Sequence, residues 1–366
     1  MGRLVAYENL RKLCEEILLS ENFNIEAAHE IVDVLLEADL RGIPSHGVAR
    51  LGRYIKERDS GNILLDSKPS IVHDTPISAT IDGNGGPGQC VSNYAMDLAI
   101  TKAKKSMIGL VSVRNSNHYG ISAYYSEKAL SEKMIGIAMT NSYPLVVPTF
   151  GKEAILGTNP FSVAIPGSKK DFILDMATSV VTRGKLEVYD RLGRDIPNGW
   201  AVDETGSSTT SPRRVLNNFN NRNSGGILPL GGSDEDFGGH KGFGMALLVD
   251  LLSAGLSLGT WSAKTYSSSQ AGVCHFFGCL DLKLFGEASH LVRHMERIVD
   301  EIVSSDKAKG HEKIYYHGEK EALARDRSLE SGIELDNKTK LLLTTLAEKH
   351  GIQKPADWPL TGTQHE

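Results

Sequence analysis

Side chains with acid–base or anion-binding chemistry recur at four-residue intervals in the stretch Ser45-His46-Gly47-Val48-Ala49-Arg50-Leu51-Gly52-Arg53-Tyr54. On a helix His46, Arg50 and Tyr54 would share one face, while Val48, Leu51 and Ile55 would turn to another face and anchor it. A histidine gives or takes a proton near neutral pH. An arginine holds a carboxylate by two parallel hydrogen bonds. Together they suit a small carboxylate that needs proton transfer, although a solvated helix face with no role has the same spacing. A second candidate is Asn115-Ser116-Asn117-His118-Tyr119-Gly120, directly after an apolar, β-branched run at 107–113. In α/β sheets ligands sit beyond the carboxyl ends of strands. Turn and capping chemistry by Asn and Ser is the alternative account of that segment.

Glycine-rich segments raise the question of a dinucleotide. Gly83-x-Gly85-x-x-Gly88 lies between a strand-like and a helix-like run and matches the dinucleotide fingerprint in form. The following strand ends Val113-Arg114-Asn115, without the acid that would bind a ribose hydroxyl. Pro87 also removes an N–H beside the third glycine, so a turn without a phosphate role is expected. Gly238-Gly239-His240-Lys241-Gly242-Phe243-Gly244 opens a helix, where backbone N–H groups and a lysine favour an anion such as pyrophosphate. It lacks the residue order of a P-loop. Cys274 and Cys279 flank His275 without the spacing of a two-pair zinc site. Phe276 and Phe277 read as core there, and no metal is expected.

The elements that must position these residues follow from periodicity. Leu10, Leu13, Ile17 and Leu18, then Ile31, Val34, Leu35 and Ala38, repeat at helical spacing, and a further helix is expected over 46–58. Strands are expected at 77–81, 107–113, 134–140, 161–165 and 172–174, and helices at 89–104 and 121–132. This alternation predicts an α/β fold. Residues 205–235, rich in Gly, Ser, Asn and Asp, read as a long surface loop. Residues 242–258 read as an apolar helix buried on most faces, helices dominate 287–349, and the last 15 residues read as a frayed polar end.

Composition bounds the function. The chain has 366 residues, 40% apolar and 23% charged, which excludes disordered and low-complexity classes. A net charge of −5 gives no broad basic field for nucleic acid. Four cysteines make no disulfide framework. The start Met1-Gly2-Arg3-Leu4 has no signal-peptide core, and the apolar run 245–259 contains Asp250 and is too short to span a bilayer. A cytoplasmic protein with no membrane or nucleic-acid partner is expected. Glycine, at 37 residues, is the one excess.

Five ordered segments resemble the type-2 malate/L-lactate dehydrogenase family, which includes ureidoglycolate, sulfolactate and diketogulonate enzymes. They are RGIPSHGVARLGRY (41–54), SNHYGISAYY (116–125), LGTNPFSVAIP (156–166), LDMATSVVTRGK (174–185) and GGHKGFGMALLVDLLSAGLS (238–257). The resemblance implies a non-Rossmann α/β fold with a mixed sheet and helical N- and C-terminal parts. It would be one unit over 1–352, with a helical part (1–75 and 285–350) around a cofactor part (76–284), and a polar tail at 353–366. It implies hydride transfer between NAD or NADP, with NAD favoured, and C2 of a small 2-hydroxy or 2-keto acid. Malate/oxaloacetate is the first expectation and lactate/pyruvate the second, in a homodimer with its site near the subunit contact.

Carried over, His118 and His46 match the proton donor or acceptor, Arg50 the carboxylate holder, and Ser45 and Tyr54 the pocket lining. Asn141, Ser142, Thr158, Asn159, Pro160, Asp175, Met176, Ala177, Thr178, Ser179, Val180, Val181, His240, Lys241 and Gly242 match cofactor-contacting stretches. His317, Gly318 and Glu319 match a late Pro-Gly-Glu segment, with His in place of Pro. Rival classes are a metal-dependent hydrolase using His46 and His118, which together form no H-x-x-x-H pair, and a catalytically silent nucleotide-binding protein.

Overall fold

A computed structural model describes residues 4–267 and 270–358. Its first layer is helical. Helices α1 (Tyr7–Ser20), α2 (Ile25–Leu40) and α3 (Leu51–Asp59) pack with α11 (Asn337–Lys349) around Leu10, Leu13, Ile17, Ile31, Leu35, Leu51 and Leu343. The apolar spacing in α1 and α2 is what builds this core, and Asn24 caps α2 by accepting the Ala27 N–H at 2.8 Å. The chain end departs from the expected fraying as far as it is described. Trp358 is buried in this core, and Asp357 accepts the Ala6 N–H at 2.9 Å. The rest of the expected tail, from 359 on, lies outside the described residues, as do Met1, Gly2 and Arg3.

The second layer is a sheet in the order β1-β2-β3-β9-β4-β5-β6. Its strands are β1 (Ser70–Asp74), β2 (Ser78–Asp82), β3 (Ile108–Ser116), β4 (Met134–Thr140), β5 (Phe161–Ile165), β6 (Phe172–Met176) and β9 (Val273–Asp281). Strands β2 and β3 run parallel, joined by α4 (Gly88–Ser106), and every other neighbouring pair is antiparallel. A Rossmann sheet would be parallel throughout its binding half, so this mixed sheet is the expected non-Rossmann α/β architecture. Strand β1 has no counterpart in the sequence reading. All five of its residues are exposed, so no alternation marks it.

A small third region fills 177–238. The expected loop at 205–235 instead contains α7 (Pro212–Asn221) and β8 (Gly226–Ile227), which pairs with β7 (Ala201–Val202). Val215 and Phe219, four apart, bury with Leu186 of α6 (Arg183–Arg191), so two apolar residues suffice in a segment whose composition reads as loop. Two other expectations are corrected. The helix over 121–132 is one α turn, α5 (Ala123–Ser126), followed by 3₁₀ turns. The helix α8 (Gly239–Asp250), which runs on through a π turn to Gly255, is not buried on most faces: Leu247, Leu248, Leu251 and Leu256 are 40–57% exposed. Helices α9 (Ala288–Ser304) and α10 (Glu319–Ser331) complete the chain. Among the described residues no helix is long and apolar enough to cross a membrane.

Candidate active site

The His46 segment is not the continuous helix its spacing suggests. Two 3₁₀ turns, Pro44–His46 and Val48–Arg50, are joined by Gly47 in an extended conformation, and α3 starts only at Leu51. The cause lies in α2. The buried carboxylate of Asp39 accepts the Val48 N–H at 2.8 Å, and a Cβ on Gly47 would stand 1.9 Å from its Oδ1. Burial pushes the Asp39 carboxyl up to about 7, against the opposing Val48 hydrogen bond. Asp39 thus pins the turn that carries Ser45, His46 and Arg50. Val48, Leu51 and Ile55 anchor the segment in the helical core as expected.

His118 arrives from the sheet. The glycine loop after β2 is its saddle. The N–H groups of Gly83, Gly85 and Gly86 are all spent on backbone carbonyls. Asn117 in turn donates from Nδ2 to the carbonyls of Gly85 (3.0 Å) and Gly86 (2.8 Å). A Cβ on Gly88 would lie 2.3–2.4 Å from the carbonyl oxygens of Asn117 and His118, so only glycine lets α4 start this close.

The five residues expected to be catalytic or pocket-lining converge. The His46 and His118 rings stack at 5.8 Å between centroids, 22° from parallel. The Tyr54 hydroxyl is 2.9 Å from His118 Nδ1. Ser45 Oγ is 3.0 Å from His46 Nδ1, and Arg50 Nε donates to the Ser45 carbonyl at 2.6 Å. This fixes the Arg50 guanidinium. No further protein acceptor engages its two terminal nitrogens among the described residues, so both are free for a carboxylate. Ser45 is exposed, and His46, Arg50 and His118 are half-buried, so solvent reaches a site walled by protein. That walling, with Arg50 and Arg53 nearby, lowers His46 to about 4 and His118 well below its usual range. Both imidazoles are neutral and sit in a cationic setting suited to an anion. Arg53, in the same 41–54 segment, has no role that the sequence marks. It is held by Glu57 (2.7 Å) and the Tyr266 hydroxyl (2.9 Å).

The stretches expected to touch the cofactor divide by geometry. Asp175 on β6 is open to solvent, yet the surrounding protein raises its carboxyl to about 6, and its Oδ2 accepts the Ala123 N–H at 2.8 Å. Ser142, Thr158, Pro160, Met176, Ala177, Val180 and Val181 are half-buried, and His240 and Lys241 are exposed at the start of α8. Asn141, Asn159 and Thr178 differ, for their side chains are buried and spent internally. Asn141 and Asn159 both donate to the carboxylate of Asp250 on α8 (3.1 Å each), and Thr178 donates to the Thr158 carbonyl (2.9 Å). Ser179 likewise donates to the Val181 carbonyl at 2.8 Å. Gly242 serves close packing, since a Cβ there would lie 2.1 Å from the Leu230 carbonyl oxygen. His317, Gly318 and Glu319 lie beside β6, where Ile173 N donates to the His317 carbonyl at 3.1 Å. There a cavity of about 430 Å³ is lined by Glu37, Arg41, Tyr124, Glu127, Ile173 and Gly318, among others. Asp39, Asp250 and His275 were missed as supporting groups, because each acts across more than 30 positions or between elements with no local pattern. Among the described residues no group of three or more His, Cys, Asp or Glu is placed to hold a metal ion.

A family described as malate/L-lactate dehydrogenase matches residues 5–343. The chain belongs to the malate/L-lactate dehydrogenase family. It is 47% identical over 330 residues to malate dehydrogenase of Pyrococcus horikoshii, covering 90% of each chain. It is 38% identical over 348 residues to L-sulfolactate dehydrogenase of Methanocaldococcus jannaschii, covering 94% of this chain and 96% of that one. The solved malate dehydrogenase of Entamoeba histolytica superposes with a TM-score of 0.93 at 33% identity, covering 97% and 100%. Membership in this dehydrogenase family makes the chain an oxidoreductase of 2-hydroxy acids.

Proposed function

We propose that the chain interconverts malate and oxaloacetate with NAD, using His118 as the proton-handling group and Arg50 as the carboxylate holder. The observation that carries this is the His46–His118–Tyr54 cluster beside an Arg50 whose terminal nitrogens are free. When bound, the nicotinamide accepts the hydride from C2 of the hydroxy acid or returns it. With Nδ1–H donating to the Tyr54 oxygen, neutral His118 takes the hydroxyl proton at Nε2. In the reverse direction the imidazolium returns the proton to the forming alkoxide. Burial raises the Tyr54 phenol well above its usual range, so it stays protonated while its oxygen accepts from His118 Nδ1–H. An anionic substrate supplies the negative charge that this cluster lacks, which favours the imidazolium needed for keto-acid reduction.

The surroundings fit a nicotinamide dinucleotide. Asp175 is close enough to Tyr119 to raise its phenol, and it senses Glu127 and Arg41 on its other side. Its exposed carboxylate can accept from ribose hydroxyls. The cavity at Gly318 holds Glu37, Glu127, Asp171 and Asp326 against Arg41 and Arg325, and both arginines are already paired with Glu37 or Glu127. A 2′-phosphate there would meet excess carboxylate, which supports NAD over NADP.

The sulfolactate dehydrogenase relative supports sulfolactate as a second substrate, because Arg50 can bind its carboxylate in the same way. The exposed leucines of α8 support a homodimer formed through that face. The four free thiols agree with a cytoplasmic setting. The test is NADH or NADPH absorbance with oxaloacetate, sulfopyruvate and pyruvate. Fastest turnover of oxaloacetate with NADH supports the reading, and no turnover of any 2-keto acid with either cofactor refutes it. Sedimentation of wild type and Leu251→Asp reports the dimer.

A further inference from the structure

The sequence reads His275 as core between two cysteines. The structure places it against the turn that carries His118. It lies on β9, the strand between β3 and β4, in register with Val113 on one side and Thr140 on the other. Its imidazole is fully buried. Nδ1 lies 2.8 Å from Thr140 Oγ1, and Nε2 lies 2.8 Å from Ser116 Oγ. Thr140 Oγ1 spends its own proton on the Asn141 carbonyl at 2.8 Å, so it accepts from His275. That fixes one tautomer: Nδ1–H donates to Thr140, and Nε2 accepts from the Ser116 hydroxyl. Burial lowers this histidine to about 3, with the backbone of Asn117 the only opposing contact, so the neutral form persists across the working range.

The same ring lies flat against Tyr119, 4.7 Å between centroids and 4° from parallel. Tyr119 is fixed on its far side by Ser122 Oγ at 2.7 Å and by stacking on Tyr125 at 4.8 Å. One imidazole therefore grips residue 116 by a hydrogen bond and residue 119 by stacking, on either side of Asn117 and His118. Asn117 adds its own two hydrogen bonds to the glycine loop. A phenylalanine at 275 could keep the stacking but would leave the Ser116 and Thr140 hydroxyls without their partner inside the core.

We propose that His275 is a positioning residue, which sets the angle at which the 116–119 turn presents His118 to the substrate. This rests on the reading of His118 as the proton-handling group. Misplacing a reacting group by ~1 Å can cost ~100-fold in rate. His275→Phe should therefore lower kcat by about 10- to 100-fold while leaving KM for the hydroxy acid within about threefold. His275→Gln, whose amide oxygen can still accept from Ser116, should recover most of that loss, and Ser116→Ala should reproduce it.

A readout independent of turnover is the NMR titration of His118, assigned by comparison with His118→Ala. Around that ring stand His46, Arg50, Arg53, Tyr54 and His275. If His275→Phe frees the turn, His118 moves toward solvent and away from Arg50 and Arg53, and its titration rises toward the ordinary histidine range. A lowered Tm with wild-type kcat and an unmoved His118 titration would mean that His275 only stabilises the fold, and the proposal falls. Should His275→Phe fail to fold, wild-type kcat in Ser116→Ala overturns it equally. If His118→Ala retained wild-type kcat, the catalytic reading would fail, while the titration shift would still report positioning.

Discussion

Removing the Tyr54 hydroxyl isolates the second layer of the proposed proton transfer. Tyr54 is 0% exposed, packs in the helical core, and meets His118 Nδ1 at 2.9 Å. Phenylalanine keeps the ring and the packing. Among the described residues the only other hydrogen-bond contact to Nδ1 is the Gly120 N–H at 3.4 Å, which can donate but cannot accept. During oxidation His118 becomes an imidazolium whose Nδ1–H needs an acceptor, and Tyr54→Phe leaves it none. A hydrogen bond to a charged group contributes ~1.5–3 kcal/mol, so kcat for malate oxidation should fall about 10- to 150-fold. Stability should drop by only ~1 kcal/mol, the net worth of one buried neutral hydrogen bond. The measurement is initial-rate NADH formation across pH 6–9, with a thermal melt of the same preparation. A folded variant with wild-type kcat at every pH would refute the phenol's role and show that His118 takes its proton without support at Nδ1.

Other outcomes follow from the same geometry. His118→Ala should lose ~10²–10⁴-fold in kcat with little change in NADH affinity by fluorescence titration, whereas His46→Ala should lose less. The reverse order would move the proton-handling role to His46. Arg50→Lys should raise KM for the acid about tenfold or more, because an ammonium cannot copy the two terminal guanidinium nitrogens, and an unchanged KM removes the carboxylate role. Asp39→Asn should raise Tm at pH 8. The folded-state pKa of about 7 lies above the unfolded value of 3.8, so the fold binds the proton more tightly and stability falls as pH rises between them. The amide keeps an acceptor for Val48 N–H and removes that loss, so a calorimetric Tm at pH 8 equal to wild type would contradict the buried-charge account.

Much of the fold was legible because its signals are local. The apolar periodicity of α1 and α2 and the alternation of β4 (buried Met134, Gly136, Ala138 and Thr140) announce themselves within a few residues. The misreadings occur where local pattern and global context part. The 205–235 segment looks like loop because few apolar residues, chiefly Val215 and Phe219, carry its helix into a core. The 46–58 stretch looks like one helix because its spacing is helical, but the Asp39 carboxylate, outside that window, breaks it at Gly47.

The sequence by itself determined the chemistry available: two histidines, an arginine, a tyrosine and glycine-rich turns in family order, enough to set the dehydrogenase class. It also argued, from a strand end that lacks an acid, against a phosphate role for the Gly83-Gly85-Gly88 turn, whose Gly83 and Gly85 N–H groups bond backbone carbonyls. Only the tertiary structure decided how these groups meet. His46 and His118 are 72 positions apart, and the contact between them depends on the packing of the helical layer against the sheet that carries His118. The supports of that contact, Asp39 beneath one histidine and His275 beside the other, are single buried polar side chains whose partners come from other elements. A buried polar group takes its role from the partners that satisfy it, and those partners are set by packing rather than by neighbours in the chain.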